Sequence, residues 1–205
     1  GRSIAAVLPI DLPAETALAV LDVCGAPALT ARVVRERGAH AVAVLGAAGK
    51  SGSLALAAAR ANGARRRIGL VRDEDEAAAL RATDLATAVA VVDARNPVAV
   101  LDAVSSRGGP ADVTVVCVDV PGAEGGAILA TRDRGTVVFF SMATSFSAAA
   151  LGAEGLAADV EMLVGTGFTP GHAELALDLF RREPGGRALF ARRLDTIPTT
   201  QEAVA

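Results

Sequence analysis

The segment His40-Ala-Val-Ala-Val-Leu-Gly-Ala-Ala-Gly-Lys-Ser-Gly-Ser-Leu-Ala-Leu-Ala-Ala-Ala-Arg60 decides the reading of this chain. It opens on a short apolar run suited to a strand and closes on an alanine-rich run suited to a helix, with glycines at 46, 49 and 52 between them. A strand that turns into a helix through glycines has the geometry of a dinucleotide-binding site. Glycine tolerates the tight turn, lets backbone approach a pyrophosphate and lets the helix pack close on the strand. The unpaired N–H groups and the positive dipole end at the start of that helix attract phosphate. The segment predicts a bound nucleotide cofactor.

Two other readings fit parts of the same loop. Gly49-Lys50-Ser51 mimics the end of a P-loop, and Val115-Val116-Cys117-Val118-Asp119 mimics the acidic strand end that holds magnesium in such proteins. A P-loop needs a glycine five residues before Gly49, however, and that position is Val44, inside the strand. The other reading is a glycine-rich turn with no ligand at all. Neither displaces the dinucleotide reading.

A chain of 205 residues suits one domain, or one domain with an appendage, and can bury a sizeable core. Hydrophobic residues make up 52%, yet no stretch is both long and free of charge or glycine. Neither a transmembrane helix nor a secretory leader is visible, so a cytoplasmic protein without a membrane partner is expected. A net charge of −3 and a pI near 5.4 leave no basic field, which argues against nucleic acid as a partner. The cluster Arg65-Arg66-Arg67 is local, and reads as readily as a solvated turn between helix and strand as it does a phosphate contact. Cysteine occurs only at 24 and 117, which indicates no disulfide framework. The chain has no tyrosine, which excludes the short-chain dehydrogenase mechanism with its tyrosine acid beside a lysine. It starts at Gly1 rather than Met, in what reads as an ordered segment, so a missing N-terminal portion is expected.

Strand and helix patterns alternate after the glycine turn. Short apolar runs fall at 40–45, 67–71, 89–92, 113–118, 136–140 and 160–164, each of a length for a buried parallel strand. Helix signals lie between them at 51–61, 74–81, 97–106, 124–131 and 147–156. Six strands alternating with helices predict an α/β fold, a Rossmann-type doubly wound parallel six-stranded sheet with helices on both faces. Ligands of such sheets bind beyond the carboxyl ends of the strands, at the topological switch point. Two helices, 12–23 and 27–37, precede the first strand; a helix at 170–182 follows the last, then 188–194 as a final strand or tail. Residues 196–205 show no periodicity and are expected to fray.

Two helices leading into a glycine-turn strand resemble the cofactor-binding half of the medium-chain dehydrogenase and reductase superfamily. Three downstream stretches are similar to the L-erythro-3,5-diaminohexanoate dehydrogenases of lysine fermentation: Gly135-Thr-Val-Val-Phe-Phe-Ser-Met-Ala-Thr-Ser-Phe146, Ala150-Leu-Gly-Ala-Glu-Gly155 and Gly165-Thr-Gly-Phe-Thr-Pro-Gly-His-Ala-Glu174. With 46–52 and Asp22-Val-Cys-Gly-Ala-Pro27, the resemblance spans nearly all of the chain. It implies an oxidative deamination with NAD or NADP on a small amino acid substrate: hydride leaves the carbon bearing the 3-amino group, and water releases ammonia to give 5-amino-3-oxohexanoate. Superfamily members normally carry an N-terminal barrel-like domain that supplies much of the substrate site. The resemblance therefore implies that 1–38 is a helical lead-in from a truncated catalytic domain, 39–195 the dinucleotide-binding domain and 196–205 a tail. A chain of this extent is expected to bind cofactor and catalyse poorly or not at all, its catalytic residues unidentified. The superfamily arrangement also places 160–164 at a sheet edge, where an apolar strand with unpaired backbone groups finds a partner, so a homodimer is expected. Two other function classes stay open: a non-catalytic nucleotide sensor, since fold does not fix chemistry, and an alcohol or quinone reductase.

The candidate cofactor contacts follow. Gly46, Ala48, Gly49 and Gly52 belong to the turn, and Lys50 and Ser51 can add a cation and a hydroxyl to the pyrophosphate, although Lys50 reads almost as well as a solvent-exposed first-turn lysine. The ribose-reading position lies about 20 residues beyond the glycines, where Val71-Arg72-Asp73 stands. Arg72 offers a partner for a 2′-phosphate, while a shift of one residue would return Asp73 to the ribose. Val118 and Asp119 are expected at the nicotinamide pocket; Asp119 is a candidate to orient an ammonium substrate, and equally a turn-forming aspartate before Pro121-Gly122. If the superfamily arrangement holds, Ser141, Met142, Ala143 and Thr144 reach the carboxamide end of the nicotinamide, with Ser145 and Ser147 as caps of the next helix. Cys24 lies 22 residues before Gly46, close to where zinc-dependent superfamily members place their last catalytic ligand, but a lone cysteine does not define a zinc site, and no metal is expected. His172 reads as a surface or capping residue more readily than a substrate contact, and His40 as structural.

Overall fold

Runs of four to nine residues rich in valine and alanine build the strands of the central sheet. The computed structural model describes residues 5–165 and 168–194. The strands are β1 (Ala41–Leu45), β2 (Arg66–Val71), β3 (Ala88–Val91), β4 (Ala111–Val116), β5 (Thr131–Phe139) and β6 (Glu161–Val164). They lie in the order β3-β2-β1-β4-β5-β6, and each neighbouring pair is parallel. Parallel neighbours require crossover connections, and the chain supplies helices for them. These are α3 (Lys50–Ala61), α4 (Glu74–Arg81), α5 (Pro97–Ser105), α6 (Glu124–Leu129) and α7 (Phe146–Gly155). Helices α1 (Ala14–Asp22) and α2 (Gly25–Arg37) precede the sheet, and α8 (His172–Arg182) and α9 (Pro184–Leu194) follow it.

Because strand side chains alternate, each strand feeds two cores. Val42 and Val44 of β1 enter a core shared with α1, α2, α3, α8 and α9, whereas Ala43 and Leu45 enter a second core with α5, α6 and α7. The doubly wound architecture expected from the sequence is therefore present, with helices on both faces. Among the described residues no single helix is long and apolar enough to cross a membrane.

Residues 188–194 differ from the reading of a strand or tail: they are the second half of α9. Pro184 opens this helix, where the missing N–H costs nothing. Its apolar face is fixed by Phe190, buried edge-on against Phe180 of α8 at 5.1 Å between ring centroids. The tail at 196–205 lies outside the described residues.

The amino ends of the strands are knitted by charged side chains bonded to backbone. Asp112 accepts the N–H groups of His40 and Ala41, each at 2.8 Å, and pairs with Arg132 at 2.6 Å. Arg66 donates to the carbonyls of Arg107 and Pro110, and Arg67 to those of Leu85 and Ala64. Two of the three clustered arginines thus serve carbonyl groups rather than phosphate. His40 joins them through its backbone, its carbonyl accepting from Arg65 and Arg66.

Leu54 of α3 is fully buried between the sheet and α2. Leu54→Ala is expected to lower stability by about 3 kcal/mol in urea unfolding, the transfer and cavity cost of a buried leucine. Val98→Ala, at an exposed site on α5, is expected to change it by less than about 0.5 kcal/mol.

Candidate dinucleotide-binding site

Strands β2 and β4 diverge from β1 to opposite sides, and a cleft of about 600 Å³ opens beyond their carboxyl ends. This is the switch point of the doubly wound sheet, where such folds bind ligands. The turn after β1 forms its floor, the residues after β2 and β3 one end, and those after β4 the other.

Each glycine of the turn has a separate steric reason. Gly46 adopts φ +78°, and a Cβ there would lie 2.9 Å from both the Cys117 carbonyl oxygen and Val118 Cγ1. The N–H groups of Gly46 and Ala47 both donate to the Leu70 carbonyl, at 2.9 and 3.1 Å, which pins the turn to β2. Gly52 faces back onto the turn, where a Cβ would come within 2.2 Å of the Gly46 oxygen. Gly49 differs. It stands at the N-cap of α3 with no side chain to cap it, and an added Cβ would meet only the Gly46 oxygen, at 3.2 Å. The first turn of α3 therefore presents amides without a side-chain cap at the cleft that Gly49 lines, which is what an anionic group requires.

The side chains around this cradle divide into those it uses and those turned elsewhere. Ala48 is buried and lines a recess beside the cleft. Lys50 Nζ lies 3.4 Å from Asp22 of α1, an ion pair that draws it toward the lead-in helices. Ser51 is half-buried on the first turn of α3.

At the far end Arg72 is exposed and lies 3.0 Å from Asp73 and 3.1 Å from Glu76. Asp73 is the N-cap of α4, accepting the Glu76 N–H at 2.8 Å. That N–H, with Arg72 beside it, holds its carboxyl below the usual carboxylate range against a small opposing effect of burial. Asp73 thus caps a helix, and Glu76, one turn into α4, lines the cleft at this end. Sequence reading also missed Asp93 and Arg95 after β3, and Arg193 of α9. Asp93 and Arg95 form a two-bond pair at 3.0 and 2.8 Å, which takes the Asp93 carboxyl down to about 2. The order β3-β2-β1 could have signalled the first two, since residues after β3 must flank those after β2. No local pattern signals Arg193.

At the opposite end β4 leaves the ladder after Val116, and Cys117, Val118, Asp119 and Val120 line the cleft. Burial pushes the Cys117 thiol up to about 12, so it carries no thiolate at neutral pH. Asp119 is exposed at the rim. Ser141, Met142 and Ala143 follow β5 along the same edge of the sheet without lining the cleft, and Met142 is 96% exposed. Ser141 Oγ accepts the Ala143 N–H at 3.1 Å. Ser145 caps α7, and its own N–H donates to the buried Glu124 at 2.7 Å, tying this loop to the start of α6. Ser147 lies inside α7 rather than at its cap.

Cys24 is buried at the N-cap of α2, and burial raises its thiol above the ordinary value. His172 is buried at the start of α8, edge-on to Phe168. Among the described residues no group of three or more His, Cys, Asp or Glu side chains is placed to hold a metal.

No family model matches the chain. It is 44% identical over 191 residues to L-erythro-3,5-diaminohexanoate dehydrogenase of Acetoanaerobium sticklandii, which covers 91% of this chain and 55% of that protein. The enzyme of the same name from Fusobacterium nucleatum is 43% identical, covering 90% of this chain and 54% of the relative. The chain is a homologue of the dehydrogenases it resembles. It spans about 55% of their length. Among solved structures it is similar to AibC, with a TM-score of 0.64 and 25% identity over 87% of this chain and 52% of that one. A zinc-binding dehydrogenase from Sinorhizobium meliloti bound to NADP shares the fold, with a TM-score of 0.60 at 21% identity over 85% of this chain and 51% of the other.

Gly52 and Gly49 differ in how closely they approach the Gly46 oxygen, and this separates folding from binding. Gly52→Val is expected to destabilise the protein severely, because its neighbour is backbone that cannot move aside. Gly49→Val, whose Cβ would stand 3.2 Å from the same oxygen instead of 2.2 Å, is expected to cost less stability than Gly52→Val and to abolish dinucleotide binding in calorimetry. Unchanged affinity in folded Gly49→Val would remove the cradle from the site.

Proposed function

We propose that this chain is the NAD(P)-binding part of an amine dehydrogenase that oxidatively deaminates L-erythro-3,5-diaminohexanoate to 5-amino-3-oxohexanoate. The observation that carries this reading is the 44% identity, across 91% of the chain, to a dehydrogenase of that name. The cleft supports it through Gly49 in its lining, amides of α3 without a side-chain cap, and Val118 and Val120 after β4. The cofactor, when bound, supplies the hydride acceptor. Gly46, Gly49 and the first turn of α3, with Ala48, Lys50, Ser51 and Gly52, hold the pyrophosphate by backbone amides and the helix dipole. Arg72 faces the adenosine ribose. Val118 and Asp119 border the nicotinamide, and the backbone at Ser141, Met142 and Ala143 reaches its carboxamide. Asp119 can balance the ammonium of a diamino acid at the rim.

In this proposal residues 1–38 lead in from an upstream domain that supplies the catalytic groups, 39–195 hold the cofactor, and the protein works in the cytoplasm, where the free thiols of Cys24 and Cys117 are at home. Edge strand β6 pairs with its copy in a homodimer. Neither nucleic acid nor membrane is a partner.

Three measurements test these statements. The isolated chain is expected to bind NAD or NADP in calorimetry, whereas reduction of the cofactor by 3,5-diaminohexanoate is expected only from protein extended by the upstream domain. Turnover of simple alcohols or quinones, with the diamino acid ignored, would overturn the substrate assignment, and binding without any turnover would favour a sensor. If Arg72 reads a 2′-phosphate, Arg72→Ala weakens NADP much more than NAD, since the charge-assisted bond exists only for the phosphorylated ribose; equal losses would make Arg72 a structural partner of Glu76 and Asp73. Light scattering is expected to give a dimer; a strict monomer at high concentration would remove that part of the proposal.

A further inference from the structure

Glu76 is a carboxylate in a place where phosphate selectivity is decided. It is the third residue of α4, its side chain is only 12% exposed, and it lines the cleft at the ribose end. Two guanidiniums from different elements hold it: Arg72, which follows β2, at 3.1 Å, and Arg193, carried by the C-terminal helix α9. The Arg72 N–H points at the same carboxylate at 3.4 Å. Of the other acids nearby, Asp93 pairs with Arg95, whereas Asp73 caps α4 and shares Arg72 with Glu76 at 3.0 Å from an exposed position.

The consequences follow from the chemistry of the three groups. Guanidinium forks bind phosphate in two-bond geometry, so Arg72 and Arg193 together match a sugar phosphate. An ionised carboxylate only accepts hydrogen bonds. It can receive one from a ribose hydroxyl but repels a phosphate at close range, strongly so where water is partly excluded. Glu76 therefore occupies the two cations and opposes the ligand that would otherwise take them.

We propose that Glu76, clasped between Arg72 and Arg193, is a specificity residue that sets how strongly the cleft rejects a 2′-phosphorylated ribose, with the two arginines forming a latent phosphate site behind it. The inference rests on the dinucleotide reading above and deepens it.

The test uses ADP-ribose and 2′-phospho-ADP-ribose as calorimetric probes of the chain, so that no turnover is needed. Glu76→Gln keeps the shape and the acceptor for the Arg72 N–H while removing the charge. It is expected to tighten binding of 2′-phospho-ADP-ribose by about tenfold relative to ADP-ribose. Adding Arg193→Ala to Glu76→Gln is expected to remove most of that gain. Glu74→Gln removes the same charge from the same helix turn, but at an exposed side chain paired with Arg81, and is expected to leave the ratio unchanged. Thermal melts of all variants report whether the fold persists. Equal changes for the two probes in Glu76→Gln, a shift against the phosphorylated probe, or the same shift in Glu74→Gln would each overturn the proposal. Failure of the unaltered chain to bind either probe would overturn the dinucleotide reading itself, and this inference with it.

Discussion

Helix α3 meets the end of β1 so closely that Gly52 sits against the Gly46 carbonyl with no room for a methyl group. This contact sets the height of α3 over the sheet, and the composition of the helix follows from it. Leu54, Ala55, Leu56, Ala57, Ala58 and Ala59 are all fully buried, so the helix is covered on nearly every side. Alanine suits that position because it has the best helix propensity, loses no side-chain entropy and lets neighbouring elements approach. Helices α2, α8 and α9 all pack on α3. A thicker helix would push the others outward and lift its own N-terminus away from the cleft.

The two ends of the sheet are built from the same charged residue types to opposite effect. At the amino ends Asp112, Arg66 and Arg67 are spent on backbone groups and close the surface. At the carboxyl ends Arg72, Glu76, Asp93, Arg95 and Arg193 pair chiefly with one another, which leaves their outward faces able to exchange partners with a ligand. Carbonyls fixed in a strand end cannot be displaced, whereas a carboxylate held by two arginines competes with any other anion.

What the sequence disclosed follows the range of the interactions involved. The strands and helices of the sheet were legible within a few residues, because burial on two faces forces continuous apolar runs and because Gly, Pro and capping side chains mark their ends. Asp73 before Glu74, Asn96 before Pro97 and Ser145 before Phe146 each cap a helix with their own side chain. Strand β5 starts at Thr131, five residues before the apolar run at 136–140, and the exposed Arg132, Asp133 and Arg134 carry no apolar signal for that extension. Helix α9 was missed because Pro184-Gly185-Gly186 looks like a loop, and only its packing on Phe180 and α3 overrides that composition. The cradle glycines were visible as a local motif. Glu76 and Arg193 were not, being 117 residues apart and brought together only by the tertiary fold.

That separation bears on how such a site can vary. The proposed pyrophosphate cradle consists of backbone and of glycines whose side chains would clash, so it tolerates few substitutions and ties cofactor binding to the fold itself. The groups proposed to read the ribose, Arg72 after β2, Glu76 on α4 and Arg193 on α9, lie apart from the glycines that shape the turn after β1. A charge change there alters which anion is accepted while the Gly46 and Gly52 contacts stay as they are. In the proposed site, binding of the dinucleotide and choice between its forms would be carried by different residues under different constraints, the first steric and nearly fixed, the second electrostatic and open to change one side chain at a time.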